Sequence, residues 1–213
     1  MPRLVDHEVR RREITGAVRR VIVGGGLEAV TFQTVAAEAG ISVRLVQYYF
    51  GTKSEFLLAT HRSVMADAGV RFMQRWNALG EDADPREAIR AVLTELLPLD
   101  YQRREEAIVL GAFGTAAITG QGITAEETFA APRALVTIVA DQLRRAQLPA
   151  TSPHLINADL DAELIAMAIG GLAQGMLQGY GTAKSAVELV DHLLDRVLGP
   201  KDESAGHSSI LRM

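Results

Sequence analysis

The sequence predicts an all-α protein. Apolar residues recur at helical spacing in segment after segment, and helix-start signatures precede several of these runs. No segment sustains the period-two alternation of a half-buried strand. The 213 residues, 48% of them apolar, can bury a substantial core rather than stay disordered. Cysteine is absent, which excludes disulfides and thiolate metal sites and suits a reducing cytoplasm, where the protein is expected to reside. The charged start "MPRLVDHEVRRREI" lacks the apolar stretch of a signal peptide.

The elements follow in order. Ile14, Ala17, Val18, Val21 and Ile22 fall at i, i+3, i+4, i+7 and i+8 on one helical face. Arg10, Arg11, Arg12, Arg19 and Arg20 occupy the remainder, Arg10–Arg12 as a solvated face or as a phosphate contact. Gly24-Gly25-Gly26 stops this helix. It is no phosphate cradle, because the glycine spacing is incomplete and a helix precedes it. Thr31 caps a short helix through about Ala39, Gly40 suits the turn, and Ser42 caps a second through about Tyr49. Thr52-Lys53-Ser54-Glu55 is a capping box opening the fourth helix. Asp84-Pro85-Arg86-Glu87 opens the fifth, whose stripe of Ile89, Val92, Leu93, Leu96 and Leu97 closes at Pro98. Further helices are expected over about 103–119, 124–147, 159–180 and 184–198, about nine in all. "LPATSPHLINADLDAE" reads as a loop and the tail from Gly199 as frayed or disordered.

Two uncharged stretches, 107–125 and 164–183, invite a membrane reading. Both are diluted by Gly, Thr or Gln and lack basic flanks, so no membrane partner is expected. Charge is uneven along the chain: residues 1–56 hold eight Lys/Arg against six Asp/Glu, and residues 57–213 fourteen against twenty. A basic amino-terminal module on an acidic body suits approach to a polyanion.

Two short helices joined by a tight glycine-containing turn form a helix-turn-helix, whose second helix can enter a DNA major groove. "TFQTVAAEAGISVRLVQYYFGTKSEFLLAT" resembles the DNA-binding segment of TetR-family transcriptional regulators. Thr31, Ala39-Gly40-Ile41, Ser42, Tyr48-Tyr49-Phe50, Lys53 and Leu57 carry the likeness, which covers about residues 7–60. The resemblance implies an amino-terminal three-helix DNA-binding domain over 1–52. A larger helical domain for effector binding and dimerisation would span 53–199, with a flexible tail over 200–213. It implies a homodimeric, ligand-responsive repressor with a double-stranded operator and a small-molecule effector as partners. The residues suit these roles. Thr31, Thr34 and Lys53 lie at or near helix N-termini, which favour phosphate. Arg44 and Gln47 can read base edges, and Val43 can touch a thymine methyl. Gln33 is a further reader or phosphate contact. Tyr48 and Tyr49 either pack at a helix end or pack one ring face on helix four and reach phosphate with the hydroxyl. Phe50, without a hydroxyl, belongs to the core. The chain departs from many members in having Gln47 where they carry an aromatic residue and Arg44 where they carry a small one.

For the body, the resemblance implies that the last two long helices form a four-helix bundle with their symmetry mates. Gly170, Gly171, Ala173 and Gly175 would permit close approach, unless this helix packs only within its own subunit. Met65, Phe72 and Trp76 share one face of helix four. With Phe113, Gln142, Met167 and Gln174 they are candidate walls of an effector cavity, or plain core. Low aromatic content and the absence of a charge clamp point to an uncharged or lipophilic effector.

No enzyme signature is found. The five histidines include no i, i+4 pair, and Asp159-Leu160-Asp161-Ala162-Glu163 imitates a calcium loop but has Leu164 where glycine is required. No nucleophile elbow or P-loop is present, so neither catalytic residue, metal nor cofactor is expected. Two other classes stay open: a small-molecule-binding helical protein without an operator, and an all-α enzyme using an internal cavity.

Overall fold

The computed structural model describes residues 2–80, 82–118, 120, 125–146 and 157–200. Among these the chain is all-α, with nine helices and one short 3-10 turn. Helix α1 (Pro2–Gly25) buries Ile14, Ala17, Val18 and Ile22, and Val21 packs at the edge of the same core. The triple glycine ends it at its last member. A Cβ on Gly25 would stand 2.8 Å from that of Ala29, and Gly26 (φ 72°) turns the chain into the 3-10 turn Leu27–Ala29.

Helix α2 (Phe32–Ala39) starts from Thr31 and ends at Gly40, and α3 (Val43–Tyr49) starts from Ser42. Helix α4 (Lys53–Leu79) opens on Thr52, whose hydroxyl accepts from Glu55 N–H. The Glu55 carboxylate accepts from Gly51 N–H (3.0 Å), one residue earlier than a standard capping box provides. Helix α5 (Pro85–Glu95) has the expected Asp84 cap and first-turn proline.

Helix α6 (Tyr101–Ile118) begins before the expected 103 because Asp100 caps it, its carboxylate accepting from Arg103 N–H at 2.8 Å. Helix α7 (Ala125–Ala146) contains Pro132. Most of the expected loop before α8 lies outside the described residues. Asn157 already caps α8 (Ala158–Leu177), so "ADLDAE" is helix rather than loop, with Asp159 and Asp161 in the turn that the helix dipole favours for acids. The helix stops at Leu177 rather than 180, in a turn where Gly179 and Gly181 have positive φ. Helix α9 (Ala183–Leu198) follows a capping box between Thr182 and Ser185. The expected tail lies, from 201 onward, outside the described residues.

Two buried clusters organise the packing. The first joins α1, α2, α3 and the front of α4 with Val109 and Phe113 of α6. The second joins α5, α7, α8 and α9 around Ile89, Leu93, Leu143, Ile165, Val190 and Leu194. Helix α6 therefore touches the amino-terminal helices directly. Ion pairs reinforce both blocks: Arg19 of α1 reaches Asp67 of α4 (2.7 Å), and Arg90 of α5 grips Asp191 of α9 (2.5 and 3.0 Å). Arg86, one turn earlier, holds Asp195 and the Gly199 carbonyl, closing α9 against α5.

Helix α8 is long and apolar enough, by length and composition, to cross a membrane. Its packing explains the composition. Ala162, Ile165 and Ile169 face the second core, while Leu160, Leu164 and Met167 stand exposed on another face. The helix is apolar twice over, once for its own chain and once for an outer surface.

Candidate nucleic-acid interface

The geometry of α2 and α3 follows from local chemistry. Thr31 Oγ1 accepts from Thr34 N–H (3.1 Å), and Thr34 Oγ1 accepts in return from Thr31 N–H (2.9 Å). Together they satisfy backbone donors that a helix start otherwise leaves open. At the other end Gly40 takes the left-handed conformation (φ 66°, ψ 31°). Its N–H donates to Ala37 O (3.2 Å) and Ile41 N–H donates to Ala36 O (3.0 Å), the paired bonds of a Schellman motif. Ser42 Oγ then accepts from Leu45 N–H and starts α3 two residues later.

Helix α3 is held by one face. Val46 and the following Phe50 are fully buried, and Phe50 meets Phe56 edge-on at 6.3 Å. As expected, Phe50 is core. The opposite face carries Arg44, Gln47 and Tyr48 at i, i+3 and i+4, all exposed; Tyr48 is 74% exposed. Ser42 is exposed beside them and Val43 half-buried. Thr31, Gln33, Thr34 and Lys53 are exposed at the starts of α2 and α4. The structure thus brings the ten sequence-chosen residues to the helix-turn-helix and its flank, with two changes of detail.

Thr34 is one. Its hydroxyl proton lies on Ala29 O (2.7 Å), so it has little left to donate to a phosphate, and the Thr31 hydroxyl stands 3.1 Å from Thr34 Oγ1, which can accept its proton. Tyr49 is the other. Its ring packs at the edge of the first core and rests on His7 of α1 (centroids 4.7 Å) and edge-on to Tyr48 (5.2 Å), so α1 supports it in addition to the packing expected from helix four. The arginines of α1 also separate. Arg10 and Arg12 pair within their own helix with Glu13 and Glu8, while Arg11 donates to the Tyr49 carbonyl and covers the Phe50 ring.

A cleft of about 360 Å³ opens between α4 and α7, lined by Leu58, His61, Arg62 and Met65 with Ala130 and Ala131. Of the seven residues chosen as cavity walls, Met65 lines it. Phe113 is fully buried with its ring edge-on to His61 (5.3 Å), a core position behind the cleft. Phe72 and Trp76 stack on each other farther along α4 (6.2 Å). Gln142 is buried in α7 next to Leu143 of the second core and accepts from Arg145 (3.1 Å). Met167, 72% exposed, and Gln174 sit on the outer surface of α8, because the face of α8 turned to the core is formed by Ala162, Ile165 and Ile169. His61 and Arg62 escaped the sequence reading, although Leu58, His61, Arg62 and Met65 show the i, i+3, i+4, i+7 spacing of a shared face.

A second groove, of about 340 Å³, runs between α8 and α9 past Ala168, Leu172, Leu189 and His192. Gly170 and Gly171 lie exposed on α8 with open space where a Cβ would stand. Ala173 and Gly175 differ: Ala173 packs on the second core, and Gly175 is covered by Tyr180 of the same chain.

Comparison with known proteins places the amino-terminal segment. Residues 14–60 match the sequence profile described as bacterial regulatory proteins of the tetR family. The "HTH-type transcriptional regulator PksA" of Bacillus subtilis is 32% identical over 113 residues, which are 53% of this chain and 54% of that protein. The matched region spans about half the length of the curated relatives. The fold extends further. A transcriptional regulator structure from Saccharomonospora viridis, in complex with choline, superposes with TM-score 0.74 at 21% identity, covering 88% of this chain and 96% of that one. The structure of AibR with isovaleryl coenzyme A and operator DNA gives 0.64 at 17% identity, covering 90% and 100%.

Proposed function

With residues 14–60 assigned to the tetR family of bacterial regulatory proteins, we propose that this chain is a dimeric, ligand-responsive transcriptional repressor. One observation carries the reading: a capped helix rooted by Val46 and Phe50 presents Arg44, Gln47 and Tyr48 together to solvent. That is the form a duplex-reading helix takes. Residues 1–52 bind DNA in this reading, and 53–199 bind the effector and the partner protomer. Arg44 and Gln47 read base edges and Val43 meets a thymine methyl. Thr31, Gln33, Ser42, Tyr48 and Lys53 fix the backbone, and Tyr49 steadies Tyr48.

Dimerisation runs through α8 and α9, where Leu160, Leu164, Met167 and Leu189 are more than half exposed and Gly170 and Gly171 leave room for close approach. The two recognition helices then address half-sites about 34–36 Å apart, or a multiple of that spacing. The effector is a small, uncharged or lipophilic molecule held between α4 and α7. It acts by binding the DNA-competent and DNA-released arrangements unequally. Complexes of fold relatives with choline and with isovaleryl coenzyme A support a small-molecule effector. The chain works in the cytoplasm without a membrane partner, and no catalytic step enters the reading.

The test is selection of duplexes from a random pool by the purified protein, alongside sedimentation at micromolar concentration. An enriched, two-fold symmetric sequence bound by a dimer is expected. A monomer, or a pool without enrichment at low salt, rejects the reading.

A further inference from the structure

His7 and Arg11 lie upstream of the family-matched segment, yet both reach across to the end of α3. Arg11 Nη1 donates to the Tyr49 carbonyl at 2.5 Å, and its guanidinium stands 4.0 Å above the Phe50 ring. The His7 ring tilts at 51° against Tyr49, whose ring in turn meets Tyr48 edge-on. The last carbonyls of any helix lack intrahelical partners and carry partial negative charge. At α3 the Phe50 N–H closes the final turn on Val46 O (2.9 Å), and Arg11 takes the carbonyl beyond it. Its neighbours do nothing similar, since Arg10 and Arg12 pair with acids of α1 itself.

We infer that Arg11, backed by His7, is a positioning residue: it clamps the carboxyl end of the recognition helix from behind and so fixes how Arg44, Gln47 and Tyr48 meet the duplex. This rests on the DNA-binding reading above. It assigns an arginine of the basic amino-terminal run to orientation rather than to phosphate. The two roles leave different signatures. A phosphate contact strengthens binding to every duplex and adds about 0.9 to the slope of log affinity against log salt. A clamp that sets orientation strengthens the selected sequence, because base-edge contacts tolerate little misplacement, and leaves that slope alone.

The experiment compares the unaltered protein with Arg11→Met well below its unfolding midpoint. It uses the selected operator and an unrelated duplex of equal length across a salt series. Operator affinity is expected to fall about five- to thirtyfold, the scale of one or two strong contacts. Affinity for the unrelated duplex and both salt slopes should stay put. Amide exchange at Tyr49 and Phe50 should quicken. If Arg11→Met does not fold, Arg11→Lys, which keeps the charge but loses the planar stack on Phe50, should show the same pattern in smaller measure. An equal loss on both duplexes with a slope lower by about one makes Arg11 a phosphate contact and overturns the inference. Unchanged affinity and exchange also overturn it. If the unaltered protein selects no duplex, the DNA-binding reading falls, and the exchange measurement alone decides whether the clamp exists.

Discussion

The guanidinium of Arg71 on α4 donates to both carboxylate oxygens of Glu106 on α6, and Glu106 is 4% exposed. Around this pair stand Glu95 of α5, which accepts from Arg71 Nε (3.2 Å), and Arg19 of α1, 3.7 Å from Glu106. Four helices of both packing blocks therefore converge on one buried carboxylate. The hydrogen bonding to Glu106, ahead of its charge and that of Glu95, raises the Arg71 pKa above its ordinary value, so the guanidinium stays charged throughout.

Removing one member of a buried pair strands the other, at a cost of about 3–5 kcal/mol. Arg71 is only partly buried and can recover some water, so Glu106→Leu alone should cost about 3 kcal/mol in urea unfolding. Combining it with Arg71→Met should recover most of that, because neither charge is then stranded. A single-mutant loss under about 1 kcal/mol, the range of surface pairs, would show that the pair contributes no more than an exposed one.

Gly40 gives a purely conformational prediction. Its φ is 66° and a Cβ there would meet nothing within 4 Å, so any penalty comes from the backbone. Gly40→Ala should destabilise by about 1–2 kcal/mol, and Gly40→Asn by less, since asparagine tolerates the left-handed region. Equal stability of all three proteins in thermal unfolding would contradict the Schellman geometry.

What the sequence made legible was local. The Thr31, Ser42, Thr52 and Asp84 caps and the Gly40 turn act within a few residues, so spacing alone reveals them. The Arg11–Tyr49 and Arg71–Glu106 links join residues 38 and 35 positions apart, and nothing in either neighbourhood marks the partner. The faces of α8 were hidden for a different reason. With apolar residues on both sides, its composition does not tell Ile165, buried, from Met167, exposed, and so Met167 was grouped with cavity walls. His61 and Arg62 were missed because polar residues on a mixed helix face read as surface.

Arg44 and Lys53 should separate reading from positioning on the selected operator. Arg44→Ala is expected to cost about 1–3 kcal/mol and to relax preference at one base pair. Lys53→Ala should weaken all sequences alike and lower the salt slope by about one. Binding measured on a panel of single-base operator variants distinguishes the two. If both substitutions lower affinity evenly across the panel, Arg44 is no reader.

Asp100 should give the fold an acid-sensitive edge. The Arg103 backbone N–H and then its side chain (2.7 Å) hold the Asp100 carboxyl below its ordinary pKa of 3.8. Its folded pKa is therefore the lower one. The stability it adds is complete above the unfolded value and fades as pH falls below 3.8 through the folded value. Asp100→Asn can still cap α6 but does not titrate, so its stability should fall less steeply with acid over that window. Parallel stability–pH curves for the two proteins would remove Asp100 from the acid response.

The outer face of α8 supplies the last prediction. Leu160, Leu164 and Met167 fall at i, i+4 and i+7 and are 62%, 63% and 72% exposed, while their helix is anchored by Ala162, Ile165 and Ile169 behind them. Covering a leucine fully is worth about 1.5–3 kcal/mol, and in a two-fold interface each contact occurs twice. A glutamate at Leu164 should leave the fold intact, since the side chain already faces water, but would add an uncompensated charge to each buried half of a dimer. Leu164→Glu is therefore expected to sediment as a monomer at micromolar concentration with its helical signal unchanged. Glu163→Gln, also exposed on α8 but one position away, is the matched control and should remain a dimer. If Leu164→Glu sediments as a dimer like the control, the apolar stripe of α8 is not the surface through which two copies meet.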